Sequence, residues 1–403
     1  MLFRSSTYID LRAAANETST AFGNPVGITL HPQFPAVPLL FITLEGMQSS
    51  SCEPGAQCAV HGTVLQITDH DGVGTEPRAL LDGWCSPRTE HGMGDIAFGP
   101  DQQLYISAGD GAQLEGANSV GDGCGDPIGD PSALRAQDIR SPGDPTTLAG
   151  VVVRIDPSTG LASSGNPISG DENADRIIAV GLHNPTQIEF RPGTQQLWVG
   201  DDHPGSTSEL NIVSVGDGLP NFGWPCREGD ASVPEYAGAE SCQNLTELEV
   251  TSPFATFRRA AHSGNNTACS VAPDSSTGGL AFYPGGSYPS RYHGALFMAD
   301  AERGCVWSVF PDGNGNPDFS TSEEFLSGVS GVGSLSSGPD GDLLFLDGKE
   351  GTLHRVRYQA DIVAPASVAS LYVPAPPLPT TVLSPPTSAA IVAVAPEIGR
   401  AHV

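Results

Sequence analysis

Glu90-His91 is the pair in this chain with the most direct chemistry. Imidazole titrates near neutrality, so it can accept a hydroxyl proton; a neighbouring carboxylate orients the ring and favours its charged form. Taken alone, a turn histidine is better explained by hydrogen bonds to backbone groups. Asp312-Gly-Asn-Gly-Asn-Pro-Asp318 alternates oxygen side chains with glycine, as the start of an EF-hand calcium loop does. Its closing acids, Glu323 and Glu324, are only approximately spaced, so a solvated turn between strands is the better reading. Trp84, Trp198, Trp224 and Trp307 could stack on a sugar, but they lie in or beside apolar runs and are expected in the core.

The elements that must position these residues follow from a repeated phrase. Gly27 to Gly46, Asp95 to Gly111, Gln187 to Asp201, Gly279 to Asp300 and Ser334 to Asp347 share one plan. Each is an apolar strand, a turn with Pro, Gly or Asp, and a second apolar strand usually closing on Asp or Gly. Irregular repetition of strand pairs marks an all-β fold, a β-propeller of small twisted sheets around a channel, with function in the loops at one mouth. No convincing long amphipathic helix is present, and 49 Gly and 35 Pro break the chain into short β-type runs.

The net charge of −28 excludes nucleic acid as an expected partner, because phosphate binding needs a basic face. An acidic surface serves solubility first; calcium binding and salt adaptation are the other readings. Eight cysteines, none in a Cys-x-x-Cys metal pair, read as four disulfides and an exported protein. The expected pairing is 52–58, 85–124, 226–242 and 269–305, although spacing does not fix it. No apolar run is long enough to span a bilayer, and the first residues do not form a signal peptide, so Met1 is expected not to be the native start. Residues 360–396 form an Ala/Pro/Val/Ser tract of linker composition, with a further domain expected beyond it. Residues 397–403 read as translated sequencing adapter, leaving 1–359 as the propeller.

The segments between the repeats carry a resemblance. Glu90-His-Gly-Met-Gly-Asp-Ile-Ala-Phe-Gly-Pro-Asp101, Cys124-Gly-Asp-Pro, Ala133 to Arg140, Gly150 to Pro157, Gly181-Leu-His-Asn-Pro185, Asn221-Phe-Gly-Trp-Pro225, Gly279 to Pro284, Arg291 to Asp300 and Leu353 to Arg357 occur in an informative order. Together they resemble the glucose/sorbosone dehydrogenases, soluble sugar dehydrogenases that use pyrroloquinoline quinone (PQQ). The resemblance covers roughly Ile9 to Tyr358. It implies a six-bladed propeller; five copies are visible, so the sixth blade is expected to be incomplete through N-terminal truncation. It also implies His91 as general base with Glu90 beside it, and His183 and Asn184 at the cofactor. There the family usually has Arg-Asn, whose arginine holds a quinone oxygen. Calcium would bridge cofactor and protein through backbone carbonyls at about His203 and Pro204, with Asp201 and Asp202 nearby.

Two departures bear on the cofactor. Pro284 stands where family members of known cofactor dependence have a lysine, and no Arg-x-Arg pair occurs between Val306 and Leu335. Arg140, Arg154, Arg258, Arg259 and Arg303 are the remaining candidates for holding a tricarboxylate, which is costly to bury without cations. The expected function is a secreted or periplasmic quinoprotein oxidising an aldose or polyol. The alternative is a non-catalytic propeller that binds carbohydrate or protein, because fold does not fix function.

Overall fold

The computed structural model describes residues 8–10, 24–48, 60–86, 91–112, 124, 132–140, 146–203, 207–258, 269, 278–301, 303–329, 331–338, 341–347, 352–359 and 390–394. They build five four-stranded antiparallel sheets, the blades of a β-propeller, each with its strands in chain order. The chain divides into two compact units, one built on residues 6–261 and one on 278–403.

The first unit holds three sheets. The first comprises β1 (Asn24–Leu30), β2 (Leu39–Gln48), β3 (Val60–His70) and β4 (Val73–Ser86). The second comprises β5 (Met93–Phe98), β6 (Leu104–Ala108), β7 (Val151–Ile155) and β8 (Ile177–Ala179). The third is built from β9 (Pro185–Phe190), β10 (Gln196–Asp201), β11 (Thr207–Ser214) and β14 (Ala255–Arg258), with a small ribbon, β12 (Arg227–Glu228) and β13 (Ala231–Ser232), inserted before its last strand. Every residue of β6 and β7 is buried. Two-sided burial is why these strands read as continuous apolar runs and not as alternating ones. Phe41, Trp84, Leu104, Ile106, Val151 and Ile177 pack into one core cluster; Tyr105, Val152, Leu197, Val199 and Phe222 pack into another.

In the second unit, one sheet is β15 (Gly279–Phe282), β16 (Leu296–Asp300), β17 (Cys305–Val309) and β18 (Glu323–Ser327). The other is β19 (Val332–Ser337), β20 (Leu343–Asp347), β21 (Thr352–Gln359) and β22 (Ala390–Val394). Tyr283, Tyr288, Phe297, Phe325 and Phe345 dominate its core.

Each of the five sequence copies falls on the first two strands of one sheet. A sixth four-stranded sheet is not among the described residues. β22 pairs with β21 from Arg355↔Val394 to Gln359↔Ala390, so part of the tract read as linker is a strand. Its neighbours 360–389 and the residues 395–403 lie outside the described residues. Asp312 accepts backbone N–H groups from Asn314 and Asn316, both at 2.8 Å, making an exposed turn between β17 and β18, as the sequence reading favoured. Trp84, Trp198 and Trp307 are core residues, as expected.

Three of the expected disulfides are formed, Cys85–Cys124, Cys226–Cys242 and Cys269–Cys305; Cys52 and Cys58 lie outside the described residues. Cys226–Cys242 closes a loop of sequence separation 16 that follows Trp224. Replacing both cysteines with serine is expected to cost ~3 kcal/mol, the loop-closure value for this length. Urea titration checks this, and an unchanged midpoint would exclude a stabilising role.

Candidate active site around His91

His91 sits in the turn that leads into β5, with φ at +52°, a left-handed conformation rare for a residue with a side chain. Its ring is buried, and Nδ1 lies 3.1 Å from Asp110 Oδ1. Asp110 follows the end of β6, where Gly109 allows close approach: a Cβ at 109 would stand 2.5 Å from the His91 carbonyl oxygen and 2.9 Å from that of His183. Gly111 N–H donates to the His91 carbonyl at 2.8 Å, and Asp110 N–H donates to the His183 carbonyl at 2.9 Å. The segment 109–111 thus fixes both histidines.

The Asp110 carboxylate is fully engaged. Oδ1 also accepts from Ala112 N–H at 2.8 Å, and Oδ2 accepts from Trp224 Nε1–H at 2.7 Å. Burial pushes its carboxyl up, but His183 and His91 outweigh that and hold it below the ordinary carboxylate range. With Nδ1–H donating to this carboxylate, the tautomer assigned to His91 leaves Nε2 with its lone pair. His91 Nε2 is buried and has no hydrogen-bond partner among the described residues.

His183 stacks on Trp224, with ring centroids 3.7 Å apart and planes at 13°, and meets His91 edge-on at 4.6 Å. Its backbone N–H and that of Asn184 donate to Asp201, at 2.9 and 2.6 Å. Burial keeps His183 well below the ordinary histidine pKa; Asp110 opposes this, while His203 and His91 reinforce it. At neutral pH it therefore lacks the charge of an arginine. Gln137 secures Trp224 by donating to its carbonyl at 2.7 Å while exchanging side-chain hydrogen bonds with Asn221. The Arg135 guanidinium also reaches this site, donating to the Asp110 carbonyl at 3.1 Å.

His203 lies edge-on to His183 at 4.2 Å, and its Nδ1 contacts Glu228 Oε1. Burial lowers it to about 4, with His91 adding to the shift. The unfolded chain, titrating near the ordinary 6.5, therefore binds this proton first, so stability is lost as pH falls from about 6.5 towards about 4. Burial together with Glu209 raises Asp201 well above the carboxylate range, which acts in the opposite direction. The comparison of native chain with His203→Gln isolates the histidine: the drop in urea midpoint from pH 7 to pH 5, in EDTA, should shrink in the variant. Equal drops would exclude it.

The structure brings His91, His183 and His203 together around Asp110, with Asn184 half-buried beside them. Glu90 and Pro204 lie outside the described residues; the carboxylate seen against His91 is Asp110. In the sequence Asp110 stands out only near the close of a strand copy; Trp224 is a core residue, as expected, packed with Ala112, Ala133, Ala136 and Tyr236, and it also reaches Asp110. Arg140 is engaged by Glu249 and the Asn244 carbonyl, and Arg154 by Asp101. Arg303 lies over Trp307 in the other unit.

Residues 21–355 match the family model for Glucose / Sorbosone dehydrogenase. The chain is 27% identical over 224 residues to quinoprotein glucose dehydrogenase B of Acinetobacter calcoaceticus, covering 54% of this chain and 44% of that protein. It is 25% identical over 294 residues to the Arabidopsis thaliana HIPL2 protein, covering 66% of this chain and 37% of that one. The chain thus spans less than half the length of these curated relatives. In fold it is similar to the soluble aldose sugar dehydrogenase of Escherichia coli, at TM-score 0.54 and 19% identity over 81% of this chain and 80% of that one. Among the described residues no helix is long and apolar enough to cross a membrane. With the match reaching from the first sheet into the fifth, the chain belongs to the glucose/sorbosone dehydrogenase family.

Proposed function

We propose that the chain is an exported oxidoreductase that oxidises an aldose or polyol at a hydroxyl carbon, with His91 as general base and PQQ as electron acceptor. The observation that carries this reading is His91 Nε2, buried without a partner among the described residues while Nδ1 is held by Asp110. A buried polar atom left unmatched is uncommon and calls for a role. A substrate hydroxyl would supply the missing partner. His91 Nε2 then takes the hydroxyl proton as the carbon's hydrogen leaves with its electron pair, giving the carbonyl product. Asp110, already ionised, stabilises the imidazolium and fixes its tautomer.

PQQ, when bound, supplies the acceptor for the hydride. The residues present fit its reacting carbonyl end: His183 Nδ1 is a second buried nitrogen without a partner, and the Asn184 amide can donate. Arg140 and Arg154 are engaged elsewhere and Arg135 already donates to the Asp110 carbonyl, so the quinone's carboxylates would have to draw on that same guanidinium. Calcium would take backbone oxygens at His203 and Pro204.

The same engagement of Arg140 and Arg154 favours the second reading, a propeller that binds carbohydrate or protein without turnover. Titration of the calcium-loaded chain with PQQ, followed by an aldose panel with a dye acceptor, separates the two. Saturable binding with dye reduction is expected. No binding at micromolar quinone would overturn the dehydrogenase reading and leave the binder.

A further inference from the structure

We infer that His183, His203 and Glu228 form a binding site for one divalent transition-metal ion of the zinc class. One ligand atom from each lies within 4.8 Å of the others. The three come from separate elements: the turn between β8 and β9, the end of β10, and β12 of the small ribbon. Tetrahedral zinc with bonds of about 2 Å holds its ligand atoms roughly 3.3 Å apart, a gap that side-chain rotation spans. Two imidazoles and one carboxylate are a zinc donor set with a fourth position open to a small molecule. Calcium takes oxygen ligands and is disfavoured by the two ring nitrogens, so this site differs in kind from one made of backbone carbonyls.

A second observation points to the same place. His183 is only 7% exposed, yet Nδ1 has no partner among the described residues. Its other nitrogen, Nε2, lies 3.9 Å from Asp110 Oδ2. A ligating histidine typically offers one nitrogen to the metal and turns the other towards a carboxylate, which fixes the ring. The side chains of His203 and Glu228 are 17% and 13% exposed, which leaves an entry path. A neighbouring group, His91 with Asp110 and His183, also has ligand geometry. Asp110 is the weaker candidate ligand there, because its oxygens already serve His91, Ala112 and Trp224. An ion at His183, His203 and Glu228 would bring positive charge beside the His91–Asp110 pair.

The site uses the His183 nitrogen that the dehydrogenase reading turns towards the quinone, so the two are alternative occupants of one atom, and its test needs neither quinone nor sugar. The full chain is stripped with EDTA, freed of the chelator and titrated with Zn²⁺ by calorimetry. Co²⁺ then serves as a spectroscopic probe of nitrogen ligation. One equivalent of zinc and a tetrahedral cobalt spectrum are expected. His203→Ala and the milder Glu228→Gln should each weaken zinc by at least ~100-fold, beyond the usual cost of losing an outer-shell partner. His91→Asn should retain it. The inference is overturned by absent zinc binding, by undiminished affinity in both His203→Ala and Glu228→Gln, or by equal loss in His91→Asn.

Discussion

His91→Asn is expected to lower kcat/KM for sugar-dependent dye reduction by ~10²–10⁴-fold, the range for removing a positioned general base. The melting temperature should change little. Asparagine suits the test because it accepts the left-handed backbone at 91, where φ is +52°, better than most residues. Its amide can also keep a donor facing Asp110, so the carboxylate is not stranded. What disappears is the one feature asparagine cannot reproduce, a basic nitrogen opposite the Asp110 contact. Activity within a few-fold of the native chain would exclude His91 as the base, whatever becomes of quinone affinity.

The blades were legible in the sequence for a physical reason. The first two strands of each sheet repeat an apolar run, a Pro/Gly/Asp turn and a second apolar run, and the second run is buried throughout in β6 and β16. β22 was not legible, because Ala390 to Val394 sits in an Ala/Pro/Val/Ser tract whose composition indicates a linker. In the site, His91 was found through its motif, but Asp110 stands 19 residues on and meets it only because β5 and β6 pair. No local spacing encodes that contact; the available signal was Ser107-Ala-Gly-Asp-Gly111, a polar end to an apolar strand with a glycine on each side of the acid. Trp224 was hidden for the opposite reason. Tryptophan is mostly buried whatever its role; Trp224 belongs to the core like the other three, and only the stacking on His183 and the bond to Asp110 reveal its second role.

Asp110 is accordingly where the largest loss of both stability and activity is expected. Asp110→Ala leaves three buried donors without their acceptor, His91 Nδ1, Ala112 N–H and Trp224 Nε1. Breaking a buried charged network of this kind costs ~3–5 kcal/mol. Activity should fall at least as far as in the His91 variant, since the ring loses both its orientation and the partner for its charged form. Asp110→Asn divides the two effects. It keeps one acceptor oxygen and the packing, so the stability loss should be smaller, at ~1–3 kcal/mol for the donor left facing the amide. The amide cannot balance an imidazolium, so turnover should still fall by ~10²–10⁴-fold. The pH dependence carries a sign as well. Asp110 titrates below the ordinary carboxylate range, so its contribution is fully present above an ordinary aspartate pKa of about 3.9 and is lost only as pH falls through its own lower value. The stability gap between the native chain and Asp110→Asn should therefore not close between pH 7 and pH 5. A gap that closes by pH 5, or an Asp110→Asn chain that turns over normally, would show that Asp110 only fills space beneath His91.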